Sequence, residues 1–95
     1  MASTFETVAS IISSASDVPI ERIEPGSHVM KDLEIDSLAF LDITFEIDRT
    51  FAIQLPVEDW MSEVNEGKRS GDDYFIIRNL CTQIDNLRAA VAATA

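Results

Sequence analysis

The sequence predicts an all-α fold, a small four-helix bundle with a long first loop and an extended region between the second and last helices. Apolar residues recur at helical spacing in four segments, and the three glycines and three prolines fall at or between the ends of those segments. Alternation typical of a strand is confined to Phe51 to Leu55, which we interpret as a connection between helices. With 46% apolar content, residues 1–95 are expected to form a single domain.

The chain is strongly acidic. Seventeen acidic residues against seven basic ones give a net charge of -10, which repels nucleic acid and anionic membranes, favours a monomer and attracts proteins with basic patches. No export leader is recognised, and no apolar run approaches the roughly 20 residues that cross a bilayer. We therefore expect a cytoplasmic protein without a transmembrane segment.

The first helix is predicted from about Thr4 to Ser16. Ser3 and Glu6 have the spacing of a capping box, and Pro19 disfavours continuation beyond Val18. The apolar stripe of this helix comprises Phe5, Val8, Ile11, Ile12 and Ala15.

A long crossover follows the first helix. It has no sustained period, but its scattered aliphatic residues are expected to hold it against the core, with one helical turn near Ile20 to Ile23.

The second helix is predicted from Ser37 to Phe51, a segment without glycine or proline. At about 100° per residue, one face collects a core stripe. Leu38 and Phe45 fall on roughly the opposite side, flanked by Asp42 and Asp48. A helix in a small bundle cannot easily bury both faces, so the second one is a candidate contact surface. The core stripe comprises Phe40, Ile43, Ile47 and Phe51.

Two further helices are predicted in the second half. Pro56 suits the first turn of a third helix, which Gly67 ends. A single last helix then begins after Ser70 or Asp72 as its cap. The apolar positions are Val57, Trp60, Met61 and Val64 in the third helix, and Ile77, Leu80, Cys81, Ile84, Leu87 and Val91 in the last.

Ser37 is the candidate for covalent chemistry. It stands at the start of a helix after the acid-rich turn from Asp32 to Asp36. First-turn amides and the helix dipole accommodate an attached phosphate there, an effect worth about 0.3 to 1 kcal/mol at an exposed site. A simpler interpretation is that Asp36 or Ser37 only caps the helix. The local pattern leaves both open.

The wider pattern resembles the acyl carrier protein family over nearly the whole chain. The resemblance rests on Asp36-Ser37-Leu38 with Asp32 upstream, and on an acidic helix that ends at Phe51 and is followed by Leu55-Pro56. It implies that Ser37 receives 4'-phosphopantetheine from coenzyme A and carries acyl groups as thioesters on the thiol of that arm. Asp36 would help a phosphopantetheinyl transferase to hold magnesium. The helix face read by partner enzymes would present Leu38, Asp42, Phe45 and Asp48.

The same resemblance implies the partners. They are the transferase and the enzymes of fatty acid synthesis, namely a ketosynthase, a ketoreductase, a dehydratase and an enoyl reductase.

Two positions depart from the family pattern. Glu34 replaces a usual glycine, so either the turn needs no positive φ or its backbone differs. Ala39 replaces a common acid, which thins the negative surface near Ser37.

The second half carries a narrower resemblance, to the special carrier of very-long-chain fatty acids for lipid A in Rhizobiales and related bacteria. This resemblance implies transfer of the cargo to a lipid A acyltransferase. The residues that support it are Trp60, the segment 63–68, Tyr74-Phe75 and Asn79-Leu80-Cys81.

Other binding and catalytic patterns are incomplete in the sequence. The alternating acids Asp32, Glu34 and Asp36 lack the glycine and the terminal glutamate of a calcium loop. His28 has no second ligand at metal-binding spacing and is interpreted as a solvated loop residue, and Cys81 as a small hydrophobe. No enzyme activity is expected. An acidic adaptor with unmodified Ser37 remains a rival function, and ordinary fatty acids, polyketides or aminoacyl groups remain rival cargoes.

Overall fold

The computed structural model describes residues 3–94, with side chains through residue 92. Within this range the chain forms helices and no strand, which confirms the all-α prediction. The elements are α1 (Thr4–Ser16), a 3-10 turn (Ile20–Arg22), α2 (Ser37–Phe51), α3 (Val57–Asn65), α4 (Asp72–Phe75) and α5 (Ile77–Thr94).

Helix α1 begins and ends where its sequence signals place it. The amide of Glu6 donates a hydrogen bond to the Ser3 hydroxyl at 3.1 Å, which satisfies one of the free first-turn amides. Asp17 follows the last turn with a φ of 60°, a left-handed conformation that turns the chain out of the helix. The buried face of α1 packs against α2 and α5.

Helix α2 is the central element of the core. Phe40, Ile43 and Ile47 are fully buried, as the periodicity predicts. Phe51, one turn further on, is partly buried, and the Arg88 guanidinium of α5 lies 5.0 Å from its ring centroid. Burial of this stripe leaves the other face of α2 toward solvent.

The prediction of one continuous last helix is wrong at Ile76. That residue has an extended backbone, with φ -74° and ψ 129°, and separates α4 from α5. Residues 25–29 of the crossover pair with the backbone around this break, which replaces helical hydrogen bonds by tertiary ones. The N···O distances are 2.9 Å for Val29 to Phe75, 2.9 Å for Ile77 to Ser27 and 2.8 Å for Arg78 to Pro25.

His28 is buried, so its interpretation as a solvated loop residue is wrong. Its side chain is packed beside the Phe75 ring at a centroid distance of 5.7 Å. Nδ1 accepts hydrogen bonds from the amides of Met30 and Lys31, both at 3.1 Å. Its own amide donates to Asp32 Oδ2 at 2.7 Å. The imidazole therefore organises the crossover a few residues before Ser37.

Helix α3 is attached to the bundle through Trp60, which is buried, and through Val57, Met61 and Val64, which are partly buried against the core. Pro56 immediately precedes the helix, and Gly67 lies just beyond its end with a φ of 76°, as expected for a glycine terminator. The N-cap residue of α4 is Gly71, so the prediction of Ser70 or Asp72 as the cap is wrong. The Ser70 hydroxyl still accepts a hydrogen bond from the Asp72 amide at 3.2 Å, one position before the cap.

Candidate functional site

Ser37 is the exposed first residue of α2. Asp36, and not Ser37, caps the helix, because Asp36 Oδ1 accepts a hydrogen bond from the amide of Ala39 at 2.8 Å. Among residues 3–94, the Ser37 hydroxyl has no hydrogen-bond partner. The cap and the hydroxyl therefore belong to different residues, and the hydroxyl is accessible to a modifying enzyme.

The surroundings of Ser37 suit an attached phosphate. The amides of Ala39 and Phe40 are bonded to the side chain and the carbonyl of Asp36, respectively. The amides of Ser37 and Leu38 precede them at the positive end of the helix dipole, where an anion is stabilised. The structure is thus compatible with a phosphodiester at the Ser37 oxygen.

The turn before Ser37 has a positive φ at its glutamate, so the alternative that this turn needs no positive φ is wrong. Glu34 has a φ of 57°, between the buried side chains of Leu33 and Ile35. The Ile35 amide donates to the Val29 carbonyl at 3.3 Å, which holds the turn against the crossover. A left-handed conformation costs an L-residue roughly 1–2 kcal/mol, so the tertiary contacts of this turn offset a local strain.

The second face of α2 is exposed, as the sequence predicts. Leu38 and Phe45 are 75% and 62% exposed, which is high for large apolar side chains. Leu41, at 38% exposure, extends this surface and was missed by the sequence analysis. Its position one helical turn after Ser37 could have predicted this exposure. The carboxylate of Asp42 lies on the same exposed side.

Asp48 differs from the other predicted recognition residues. It is only partly exposed, and its Oδ1 accepts a hydrogen bond from the Leu55 amide at 2.9 Å. This bond joins α2 to residues 52–56, which we call the link. This role of Asp48 is not predictable from the sequence, because Asp48 and Leu55 are seven positions apart and no local motif connects them.

Two open grooves flank Phe45. The link groove, of about 470 Å³, separates α2 from the link and the start of α3. The α1 groove, of about 570 Å³, lies between α1 and α2. The link groove is lined by Leu41, Thr44, Phe45, Asp48, Gln54, Leu55, Pro56, Val57, Glu58 and Asp59. The α1 groove is lined by Ser10, Ile11, Ser14, Ala15, Asp42, Phe45 and Glu46.

Cys81 is a buried core residue of α5. Burial, and to a lesser degree the charge of Asp85, raise the pKa of its thiol to about 11. The thiolate required of a nucleophile is therefore disfavoured at neutral pH. This agrees with the interpretation of Cys81 as a small hydrophobe.

Comparison with known proteins decides the family. The profile described as "Phosphopantetheine attachment site" matches residues 6–65. A protein named Acyl carrier protein AcpXL from Mesorhizobium japonicum is 54% identical over 93 residues, which cover 98% of this chain and 100% of the relative. The chain belongs to the acyl carrier protein family.

Other relatives agree with this assignment. Acyl carrier protein AcpXL of Rhizobium meliloti is 55% identical over 94% of both chains. Acyl carrier protein AcpXL of Brucella melitensis is 52% identical over 95% of this chain and 97% of its own. As an acyl carrier protein, the chain is a carrier and not an enzyme, its cofactor is 4'-phosphopantetheine, and it works with enzymes of fatty acid synthesis.

None of the helices that the structure describes within residues 3–94 combines the length and the apolarity needed to cross a bilayer.

Proposed function

We propose that Ser37 carries the 4'-phosphopantetheine arm, and that the acyl chains it holds as thioesters are very-long-chain fatty acids destined for lipid A. The main support is the free, exposed hydroxyl of Ser37 at the start of α2, inside the segment that matches the attachment-site family. The phosphate would lie at the positive end of the helix, while Asp36 caps the same turn and supplies a carboxylate for transferase-bound magnesium.

The cargo assignment rests on two observations. The second half resembles the special carrier for very-long-chain fatty acids, and the Mesorhizobium, Rhizobium and Brucella relatives share the name AcpXL over nearly the full chain. The protein would then act in the cytoplasm as a single-domain monomer. A lipid A acyltransferase would accept the finished chain.

The link groove is the proposed resting place for the part of the acyl chain nearest the arm. It begins at Leu41, one helical turn beyond Ser37 and therefore about 6 Å along the axis. Phe45, Leu55 and Val57 supply apolar walls. An apolar chain tethered at Ser37 would remove these surfaces from water, which is favourable.

The exposed face of α2 is the proposed recognition surface. Leu38 and Phe45 offer apolar contacts, and Asp36 and Asp42 offer negative charges. Partners of fitting chemistry are enzymes with an apolar pocket beside lysine or arginine residues. The enzymes expected to bind this surface are the transferase, the ketosynthase, the ketoreductase, the dehydratase, the enoyl reductase and the lipid A acyltransferase.

Intact mass tests the attachment site. Wild type, Ser37→Ala and Ser62→Ala would each be incubated with coenzyme A and a phosphopantetheinyl transferase. Ser62 is an exposed helical serine and serves as the matched control. We expect one phosphopantetheine increment in wild type and in Ser62→Ala, and none in Ser37→Ala. An increment that persists in Ser37→Ala would refute the site, and no increment in wild type would favour an unmodified acidic adaptor.

Cargo length needs a separate test. Holo protein would be elongated by purified fatty acid synthesis enzymes, and the acyl chains would be measured by mass. The lipid A acyltransferase would then be offered carriers with chains of graded length. Preferential transfer of the longest chains is expected, whereas preference for ordinary chain lengths, or loading by polyketide or aminoacyl enzymes, would contradict the very-long-chain role.

A further inference from the structure

We propose that Asp48 is a positioning residue, which fixes the wall of the link groove opposite Phe45 by binding the backbone of the link. This inference rests on the proposed use of the link groove by the acyl chain. It assigns to Asp48 a task inside the carrier, different from the reading of its charge by partner enzymes.

Asp48 accepts three hydrogen bonds from backbone amides that follow the end of α2. Its carbonyl accepts from the amide of Ala52, which closes the helix, and from the amide of Ile53 at 3.1 Å. Its side chain adds the bond from the Leu55 amide at 2.9 Å. Three link amides therefore converge on one residue. Only the third bond depends on the identity of the side chain.

The third bond sets the direction in which the link leaves α2. Ala52 has a φ of 56° and reverses the chain, after which Ile53 and Leu55 are both buried. Gln54, Leu55 and Pro56 then form the side of the groove that faces α2. Since the Leu55 amide is tied to Asp48 Oδ1, the width of the groove at this point is determined by that hydrogen bond.

Asp42 provides the contrast on the same helix. It is exposed and lines the α1 groove, and its carboxylate makes no hydrogen bond or ion pair within residues 3–94. The neighbouring Arg49 does not pair with Asp48, because its guanidinium contacts Glu46 Oε1 at 3.2 Å. Asp42 is available to a partner, while one oxygen of Asp48 is already used within the chain.

Hydrogen exchange of the Leu55 amide, followed by NMR on the unmodified protein, tests the bond directly. Asp48→Asn retains an acceptor oxygen without the charge, whereas Asp48→Ala removes the acceptor. We expect Asp48→Ala to exchange at least tenfold faster at Leu55, and Asp48→Asn and Asp42→Ala to stay within threefold of wild type. Unchanged exchange rates of the Ile12 and Ile84 amides would show that the core is intact. Equal rates in all variants would overturn the proposal.

Thioester protection tests the consequence for cargo. A transferase would load each variant from hexadecanoyl-coenzyme A, and cleavage by hydroxylamine would be followed by mass. The expected rate is at least fivefold higher for Asp48→Ala and within twofold of wild type for Asp48→Asn. Equal acceleration in Asp48→Asn and Asp48→Ala would indicate a role for the charge and would overturn the positioning role.

The transferase reaction supplies a readout that does not require Asp48→Ala to fold. Asp48→Asn is expected to keep kcat/KM within twofold of wild type, whereas Asp42→Asn lowers it severalfold through KM. Equal losses of kcat/KM in Asp48→Asn and Asp42→Asn would refute the proposed difference between the two aspartates. If wild type gains no arm, the proposed function fails, and the exchange rate at Leu55 still decides whether Asp48 fixes the link.

Discussion

The rings of Trp60 and Tyr74 are stacked, with planes 8° apart and centroids 4.7 Å apart. The Tyr74 hydroxyl also donates a hydrogen bond to the carboxylate of Glu63, on the turn of α3 after Trp60. This bond raises the pKa of the Tyr74 phenol, and burial adds to the effect. One residue of α4 thus holds α3 by an apolar contact and by a polar one.

Tyr74→Phe is expected to lower the free energy of unfolding by about 1–2 kcal/mol, because it keeps the ring stack and leaves Glu63 without its buried donor. Urea unfolding monitored by the fluorescence of Trp60, the one tryptophan in the sequence, measures the change. Thr50→Val, an exposed residue of α2 whose hydroxyl has no hydrogen-bond partner among residues 3–94, is the control for loss of a hydroxyl. Equal stability of Tyr74→Phe and wild type would contradict a contribution from the bond.

Glu34→Gly is expected to stabilise the protein by about 0.5–1 kcal/mol. The gain is the relief of roughly 1–2 kcal/mol of left-handed strain, reduced by the greater entropy of glycine in the unfolded chain. Ala52→Gly, at another positive φ, should behave alike, while Glu34→Val should destabilise. Thermal unfolding compares the three variants. A lower melting temperature for Glu34→Gly would show that the side chain contributes more than its strain.

The stability of the protein is expected to depend on the protonation of His28. Burial, with a smaller contribution from Lys31, lowers the pKa of His28 below its ordinary value of 6.5, and Asp72 and Asp32 only partly oppose this. Because the unfolded chain binds the proton more readily, stability from this residue is complete above about pH 6.5 and is lost as the pH falls through and below that value. The loss cannot exceed about 1.4 kcal/mol per pH unit.

His28→Asn provides the comparison, since its side-chain oxygen can accept from the Met30 and Lys31 amides without titrating. The difference in unfolding free energy between wild type and His28→Asn, measured by urea from pH 7.5 to 5, should shift against wild type on acidification. A constant difference would exclude His28 as the titrating group.

Cys81 should react slowly with thiol reagents. With a pKa of about 11 and a buried sulfur, its rate with Ellman's reagent at pH 8 should be at least 100-fold below that of a free peptide thiol. Complete reaction in 6 M urea would show that the thiol itself is intact. Rapid labelling of the folded protein would mean that α5 opens locally.

The sequence predicted the elements whose information is local. The bounds of α1 and α2 follow from apolar periodicity together with caps such as Ser3 and Asp36, so they were predicted correctly. The break at Ile76 was missed because isoleucine suits a helix interior, and only backbone pairing with residues 25–29 interrupts the helix. A tertiary contact of this kind leaves no periodic signal.

The candidate site was predictable to a similar extent. Ser37 and the exposure of Leu38 and Phe45 follow from position on α2 and from helical geometry. Two sets of interactions did not follow. They are the hydrogen bonds from the amides of Met30 and Lys31 to the buried His28, and the bond between Asp48 and Leu55. Both join a side chain to backbone amides in an irregular segment, where no fixed spacing relates donor to acceptor.

The pairing of residues 25–29 with residues 75–78 also orders events in time during synthesis. These strips of backbone lie roughly fifty residues apart, so the crossover closes a long loop and cannot acquire its native hydrogen bonds on a nascent chain that stops short of Arg78. The turn at Glu34 depends on the same crossover through Val29. The segment before Ser37 can therefore reach its native arrangement only once the chain through Arg78 is available for this pairing.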